Sequence, residues 1–192
     1  MTANNATAET RVLLLLAHPA LDRSRANRAM SHVAESTPGV QVRDLYELYP
    51  NFLIDVEDEQ NLLKAHAVVV LQFPLYWYSV PALLKEWIDT VLRHGFAYGR
   101  GGDALKGKTF FVACSSGSPS ADYQPGGNHY YSKQEFLRPL ERTAALCGMH
   151  WEPPFVLHES RLRDAASLAD AVSKYQTRLT VLAQNSAKQG AA

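Results

Sequence analysis

Apolar residues along this chain fall into two alternating patterns: short continuous runs, and longer stretches with helical spacing. The runs at 11–17 (with four successive leucines), 67–73 and 108–114 lack polar alternation, which predicts parallel strands covered on both faces. Residues 40–45 alternate apolar with polar and read as a strand at the sheet edge, and 155–157, after Pro153-Pro154, read as a fifth strand. Between the runs, helical spacing predicts a helix capped by Ser24 and reaching about Glu35, then a short helix opening on Glu57-Asp58-Glu59. A third carries Leu83, Leu84, Trp87, Ile88 and Val91, with Pro81 in its first turn. A fourth spans 135–147, with Pro139 kinking it or sitting near its start, and a last one covers 165–183. Five strands alternating with five helices, joined by right-handed crossovers, predict an α/β fold: a three-layer doubly wound parallel sheet. Residues 46–55 read as irregular, and 1–10 and 186–192 as disordered tails flanking a single domain at 11–185.

Composition narrows the function classes. Lys plus Arg and Asp plus Glu number 19 each, so the formal net charge is zero and no nucleic-acid or anionic-membrane partner is implied. The start, Met1-Thr2-Ala3-Asn4-Asn5, lacks the basic and apolar regions of a signal peptide, which predicts a cytoplasmic protein. Cys114 and Cys147 fall where small apolar residues fit, so neither a disulfide nor a metal site is expected.

In a doubly wound sheet the loops after strands one, three and four meet at one edge, where ligands bind. The first lacks both the G-x-G-x-x-G and G-x-x-x-x-G-K-[ST] patterns, but offers His18, Ser24, Arg25 and Asn27 at a helix start. That set suits a phosphate, or Ser24 is simply an N-cap; the residues alone leave both readings open. The second loop, Leu75-Tyr76-Trp77-Tyr78-Ser79 between Pro74 and Pro81, reads as a stiff aromatic shelf suited to an isoalloxazine ring, the alternative for Trp77 being core or dimer interface. The third, Ser115-Ser116-Gly117-Ser118, has the small residues that let backbone approach a ring edge, or is an ordinary turn.

Together L-L-A-H-P with Ser24 and Asn27, L-Y-x-L-Y-P at 45–50, F-P-L-Y-W-Y-S-V-P-A-L-L-K-E-W-I-D at 73–89, G-F-A-Y at 95–98, the 115–118 turn and C-G at 147–148 resemble the flavodoxin-like NAD(P)H:quinone oxidoreductases. Within that family the chain is most similar to the bacterial ancillary subunits of glutathione-gated potassium efflux systems. The resemblance implies a flavodoxin-like three-layer sandwich with a five-stranded parallel sheet in the order 2-1-3-4-5. It implies an FMN phosphate site at His18, Ser24, Arg25, Ala26 and Asn27, and a ring site at Leu75, Tyr76, Trp77, Tyr78, Ser115, Ser116, Gly117 and Ser118. FAD is the alternative flavin. Tyr123 and His129 match a family pair proposed to stabilise negative charge on the flavin, and Tyr98 matches an aromatic that reaches the neighbouring subunit's substrate pocket, implying a homodimer. The family turn reads Thr-Thr-Gly-Gly, so Ser118-Pro119 departs from it. The implied activity is two-electron ping-pong transfer from NADH or NADPH to quinones or similar electrophiles. The alternative is a regulatory subunit of a potassium efflux transporter, peripheral at the cytoplasmic face of the inner membrane. An FMN electron carrier would be expected to be acidic, unlike this balanced chain.

Overall fold

The computed structural model describes residues 11–161 and 163–189. Its centre is a parallel sheet: β1 (Val12–Leu16), β2 (Val40–Asp44), β3 (Val68–Pro74), β4 (Thr109–Ser115), β5 (His150–Trp151) and β6 (Phe155–Leu157). The strand order is β2-β1-β3-β4-β5, with β6 also paired to β4, so the expected flavodoxin-like order holds and its fifth position is shared by two short strands. Pro153 and Pro154 lie between those two and cannot donate to the ladder, which accounts for the split that hid β5 from the hydrophobic pattern.

Every residue of β1 and β3 is buried, as expected of strands covered on both faces, whereas β2 at the edge is half-buried throughout. Side-chain alternation splits the core in two. Val12, Leu14 and Leu16 pack with Met30 of α1 (Arg25–Glu35) and with Tyr175 and Leu179 of α6 (Ala165–Gln189). Leu13 and Leu15 belong to the opposite core, with Leu63 of α3 (Val56–Ala65), Leu84 and Trp87 of α4 (Ala82–Val91) and Leu140 of α5 (Lys133–Leu146).

Some boundaries differ from the expectation. The segment expected to be irregular holds α2 (Leu45–Leu48), one helical turn that Asp44 caps through the N–H groups of Tyr46 and Glu47. Pro139 lies inside α5 without ending it. Helix α6 runs on to Gln189, through residues expected to be tail, while 1–10 and 190–192 lie outside the described residues. Glu59 is fully buried and accepts hydrogen bonds from Arg43, Tyr49 and Trp87, tying α3 to β2 and α4. Both cysteines are free and buried, and among the described residues no helix is long and apolar enough to cross a membrane.

Candidate functional site

At the carboxyl ends of β1, β3, β4 and β6 lies a cavity of about 760 Å³, lined by His18, Ala20, Arg23, Ser24, Arg25, Ala26, Pro74, Leu75, Tyr76, Ser115, Ser116, Gly117, Ser160 and Arg161. The strand order puts it there: the chain leaves β1 toward β2 on one side while β3 lies on the other, so the loops diverge and open a crevice.

The loop after β1 builds one wall. The Ala20 N–H donates to His18 Nδ1 at 3.1 Å, which places the ring proton on Nε2 in the neutral imidazole, and burial lowers the His18 pKa below its ordinary value. Ser24 caps α1 by accepting the Asn27 N–H at 3.1 Å, and the N–H groups of Arg25 and Ala26 in the first turn have no intrahelical acceptor. Asn27 itself is behind the lining. It is 1% exposed, donates from Nδ2 to Ser115 Oγ at 2.8 Å, and accepts at its backbone carbonyl from Gln72 Nε2. Tyr175 in turn donates to Gln72 Oε1, so a buried polar chain links α6, β3, α1 and β4 on one face of the sheet. The Asn27 Oδ1 is buried with no partner among the described residues.

The loop after β3 is a tight turn rather than a shelf. Tyr76 and Ser79 exchange two backbone hydrogen bonds, at 3.0 and 2.9 Å, across Trp77 and Tyr78, whose φ angles of 49° and 65° make this a type I′ turn. Left-handed backbone at two consecutive aromatics is strained by roughly 1–2 kcal/mol per residue. A two-residue turn cannot aim three rings one way, so they diverge. Tyr76 lines the cavity, Tyr78 packs on Phe136 with ring centroids 4.9 Å apart, and Trp77 is 93% exposed.

Ser115, Ser116 and Gly117 form the opposite wall, and a Cβ built at Gly117 would meet no atom within 4 Å beyond its chain neighbours, so it would stand in open space. The Ser116 N–H donates to Leu157 O and the Ser160 N–H donates to Ser116 O, bringing the loop after β6 to the site. Ser160 and Arg161 were not anticipated, nor was Arg23. The topological rule applied to loops one, three and four points equally to the loop after the fifth strand position, and that extension finds them.

Ser118 is off the lining, with its hydroxyl 2.8 Å from His129 Nε2. The Tyr123 and His129 rings are stacked, 4.3 Å apart at 24°, and His129 Nδ1 is 3.4 Å from the Tyr78 hydroxyl. This pair is therefore joined to both flanking loops, beside the cavity and outside its lining. Tyr98 is elsewhere, in the loop after α4 with its ring edge-on to His94 at 5.7 Å.

The lining suits an anion with a flat apolar appendage. Arg23, Arg25, Arg161, His18 and the start of α1 contribute to the lining, and no carboxylate is among the lining residues. Beyond them Pro74, Leu75 and Tyr76 give apolar surface, and the small residues at 115–117 leave backbone accessible.

Comparison with known proteins agrees with this geometry. The glutathione-regulated potassium-efflux system ancillary protein KefG of Cronobacter sakazakii is 47% identical over 166 residues, covering 86% of this chain and 90% of that protein. General stress protein 14 of Treponema denticola, solved in complex with FMN, superposes with a TM-score of 0.84 at 40% identity, covering 90% of this chain and 99% of that one. An NADPH-quinone reductase from P. pentosaceus gives 0.81 at 32% identity, with 88% and 98% covered. The flavodoxin-like fold family matches residues 10–179, nearly the whole sheet and its helices, and this chain belongs to that family.

Proposed function

We propose that this protein is a flavin-dependent NAD(P)H oxidoreductase that reduces quinones or similar electrophiles by two-electron, ping-pong transfer. The observation that carries the reading is the cavity: the start of α1 with Arg23 and Arg25 on one wall, the small residues 115–117 with Ser160 and Arg161 on the other, and apolar surface from Pro74, Leu75 and Tyr76. FMN fits this set. Ser24, Arg25, Ala26 and His18 Nε2 would supply donors for its phosphate. Leu75, Tyr76 and 115–117 would hold the ring. Bound there, the flavin would supply the two-electron redox chemistry between NAD(P)H and the acceptor.

The chain's own contribution is binding, orientation and charge. Tyr123 and His129, fixed by stacking and by Ser118 and Tyr78, stand as donors for negative charge that develops during reduction, acting on the transition state more than on the ground state. Tyr98 would serve a neighbouring subunit's pocket in a homodimer, since it lies away from the cavity of its own chain. The relative and structures named above support the assignment: one was solved with FMN and one is called an NADPH-quinone reductase.

The test is purification, identification of bound flavin, and anaerobic addition of NADH or NADPH. Stoichiometric flavin bleached by either nucleotide and reoxidised by a quinone is the expected result. A colourless protein that neither takes up FMN or FAD nor oxidises either nucleotide overturns the reading.

A second reading rests on the 47% identity to KefG: this protein would bind and regulate a glutathione-gated potassium efflux transporter at the cytoplasmic face of the inner membrane. Co-purification with such a transporter, and efflux that depends on the protein in cells, is the outcome that favours it. Unaltered efflux in a deletion strain counts against it.

A further inference from the structure

Helix α5 begins with an unfavourable choice. Lys133 is the first residue after the Ser132 cap, where the helix dipole disfavours a cation, and it is also 5% exposed. Its ammonium nitrogen is buried and has no hydrogen-bond partner among the described residues, and none of their carboxylates pairs with it. What it has instead is a ring: Lys133 Nζ stands 3.4 Å from the centroid of Tyr123. Tyr123 carries His129 stacked on it and His158 tilted against it at 5.6 Å, so one phenol ring joins an ammonium and two imidazoles.

We propose that Lys133 is a positioning residue for the oxidoreductase site: its ammonium holds the face of Tyr123, sets the place of the Tyr123–His129 pair, and biases that side of the site toward negative charge. The inference rests on the flavin-dependent reading above and deepens it. A desolvated cation–π contact is among the stronger forms of that interaction, and a charge held in a dry site acts at long effective range. Two penalties, burial and helix polarity, fall on one residue, and local rules broken in this way are expected at functional positions.

The charge is also conditional. Burial lowers the Lys133 pKa to about 8, and Cys114 on β4, a neutral buried thiol, supplies no fixed counter-charge. The other groups facing this cluster are Tyr123, His129 and His158; Arg163 and Glu159 act on His158 from its own loop, and Glu135 of α5 is turned to the Ser132 cap. Below about pH 8 the ammonium is present; above it the amine is neutral and the hold on Tyr123 weakens.

The experiment is anaerobic reduction of the FMN-loaded protein by NADPH or NADH, from pH 6 to 10, in wild type, Lys133→Met and Lys133→Arg. Wild type should lose rate through about pH 8, Lys133→Arg should hold its rate to higher pH, and Lys133→Met should be slower by roughly tenfold with no inflection there while still binding FMN. A merely structural lysine would give three profiles of one shape. That result, on a wild type that binds and reduces flavin, overturns the role of Lys133 alone; a wild type that does neither overturns the oxidoreductase reading and this inference with it. A second measurement needs no flavin and survives a poorly folding Met variant: the His158 imidazole, held low by burial and by Lys133, should keep its titration in Lys133→Arg and move upward in Lys133→Gln. An unmoved His158 in both variants removes the electrostatic part.

Discussion

Asn27 and Ser115, 88 residues apart in sequence, are joined by a 2.8 Å hydrogen bond that ties the first turn of α1 to the end of β4. The bond sets the spacing between the wall offering phosphate donors and the wall of small residues. Asn27 Nδ2 has one other neighbour, Ser24 Oγ at the long distance of 3.5 Å, so Ser115→Ala leaves a buried donor nearly unsatisfied. The expected loss is about 1–3 kcal/mol in urea unfolding of the apo-protein, with weaker FMN binding in a fluorescence titration. A variant with wild-type stability and affinity would show that the two walls are held by other contacts.

The turn at Trp77 and Tyr78 predicts a gain of stability from a loss of side chain. Trp77 is 93% exposed, so removing its indole leaves no cavity, and its φ of 49° is a conformation that asparagine tolerates better. Trp77→Asn should raise stability by on the order of 1 kcal/mol, against the usual direction of point mutations. If the strain serves the site, FMN binding or reduction falls in the same variant, a trade between stability and activity. A less stable variant would mean that the indole is covered in the native assembly.

These two positions also mark how far the sequence could be read. The strands and helices are legible because apolar runs and helical spacing record burial directly, as with 11–17 and 67–73, whereas the strand order follows from the family resemblance. Ser24 was legible as an N-cap, and the loops after strands one, three and four were correctly brought together because that follows from topology. The type I′ turn was hidden, since Trp-Tyr has none of the Asn-Gly chemistry that signals one. Family position makes Asn27 a phosphate-site residue, while its hydrogen bond to a partner 88 residues away leaves no mark in the local sequence. Strand β5, two residues long, is too short to show a period. Lys133 went unnoticed because a lysine at a helix start reads as exposed unless the fold closes over it.

Gly117 allows a test of the cavity that spares the fold. A Cβ there meets no atom within 4 Å beyond its chain neighbours, so Gly117→Leu adds a side chain into open space rather than into the core. The expected outcome is unfolding stability near wild type with FMN affinity reduced by at least about 1.4 kcal/mol, a factor of ten. Full flavin binding by this variant would place the ring elsewhere.

Acid should weaken the apo-protein and favour flavin binding, both through His18. Burial lowers the pKa of His18 and of His158 in the folded state, so below the ordinary value of 6.5 the unfolded chain binds more protons than the folded one. Stability is then fully present above about pH 7 and is lost as pH falls through 6.5 toward the lower folded values, with a slope of at most about 1.4 kcal/mol per pH unit per imidazole. Solvent reaches His158, so His18 should carry more of the effect, and His18→Gln should flatten the slope in urea titrations between pH 5.5 and 7.5. Binding of a phosphate dianion beside His18 reverses the sense, because the anion favours imidazolium: FMN should bind with proton uptake, and more tightly at pH 6 than at pH 8. The same pH dependence of FMN affinity in His18→Gln as in wild type would detach the imidazole from the phosphate and leave the arginines and the α1 terminus to hold it.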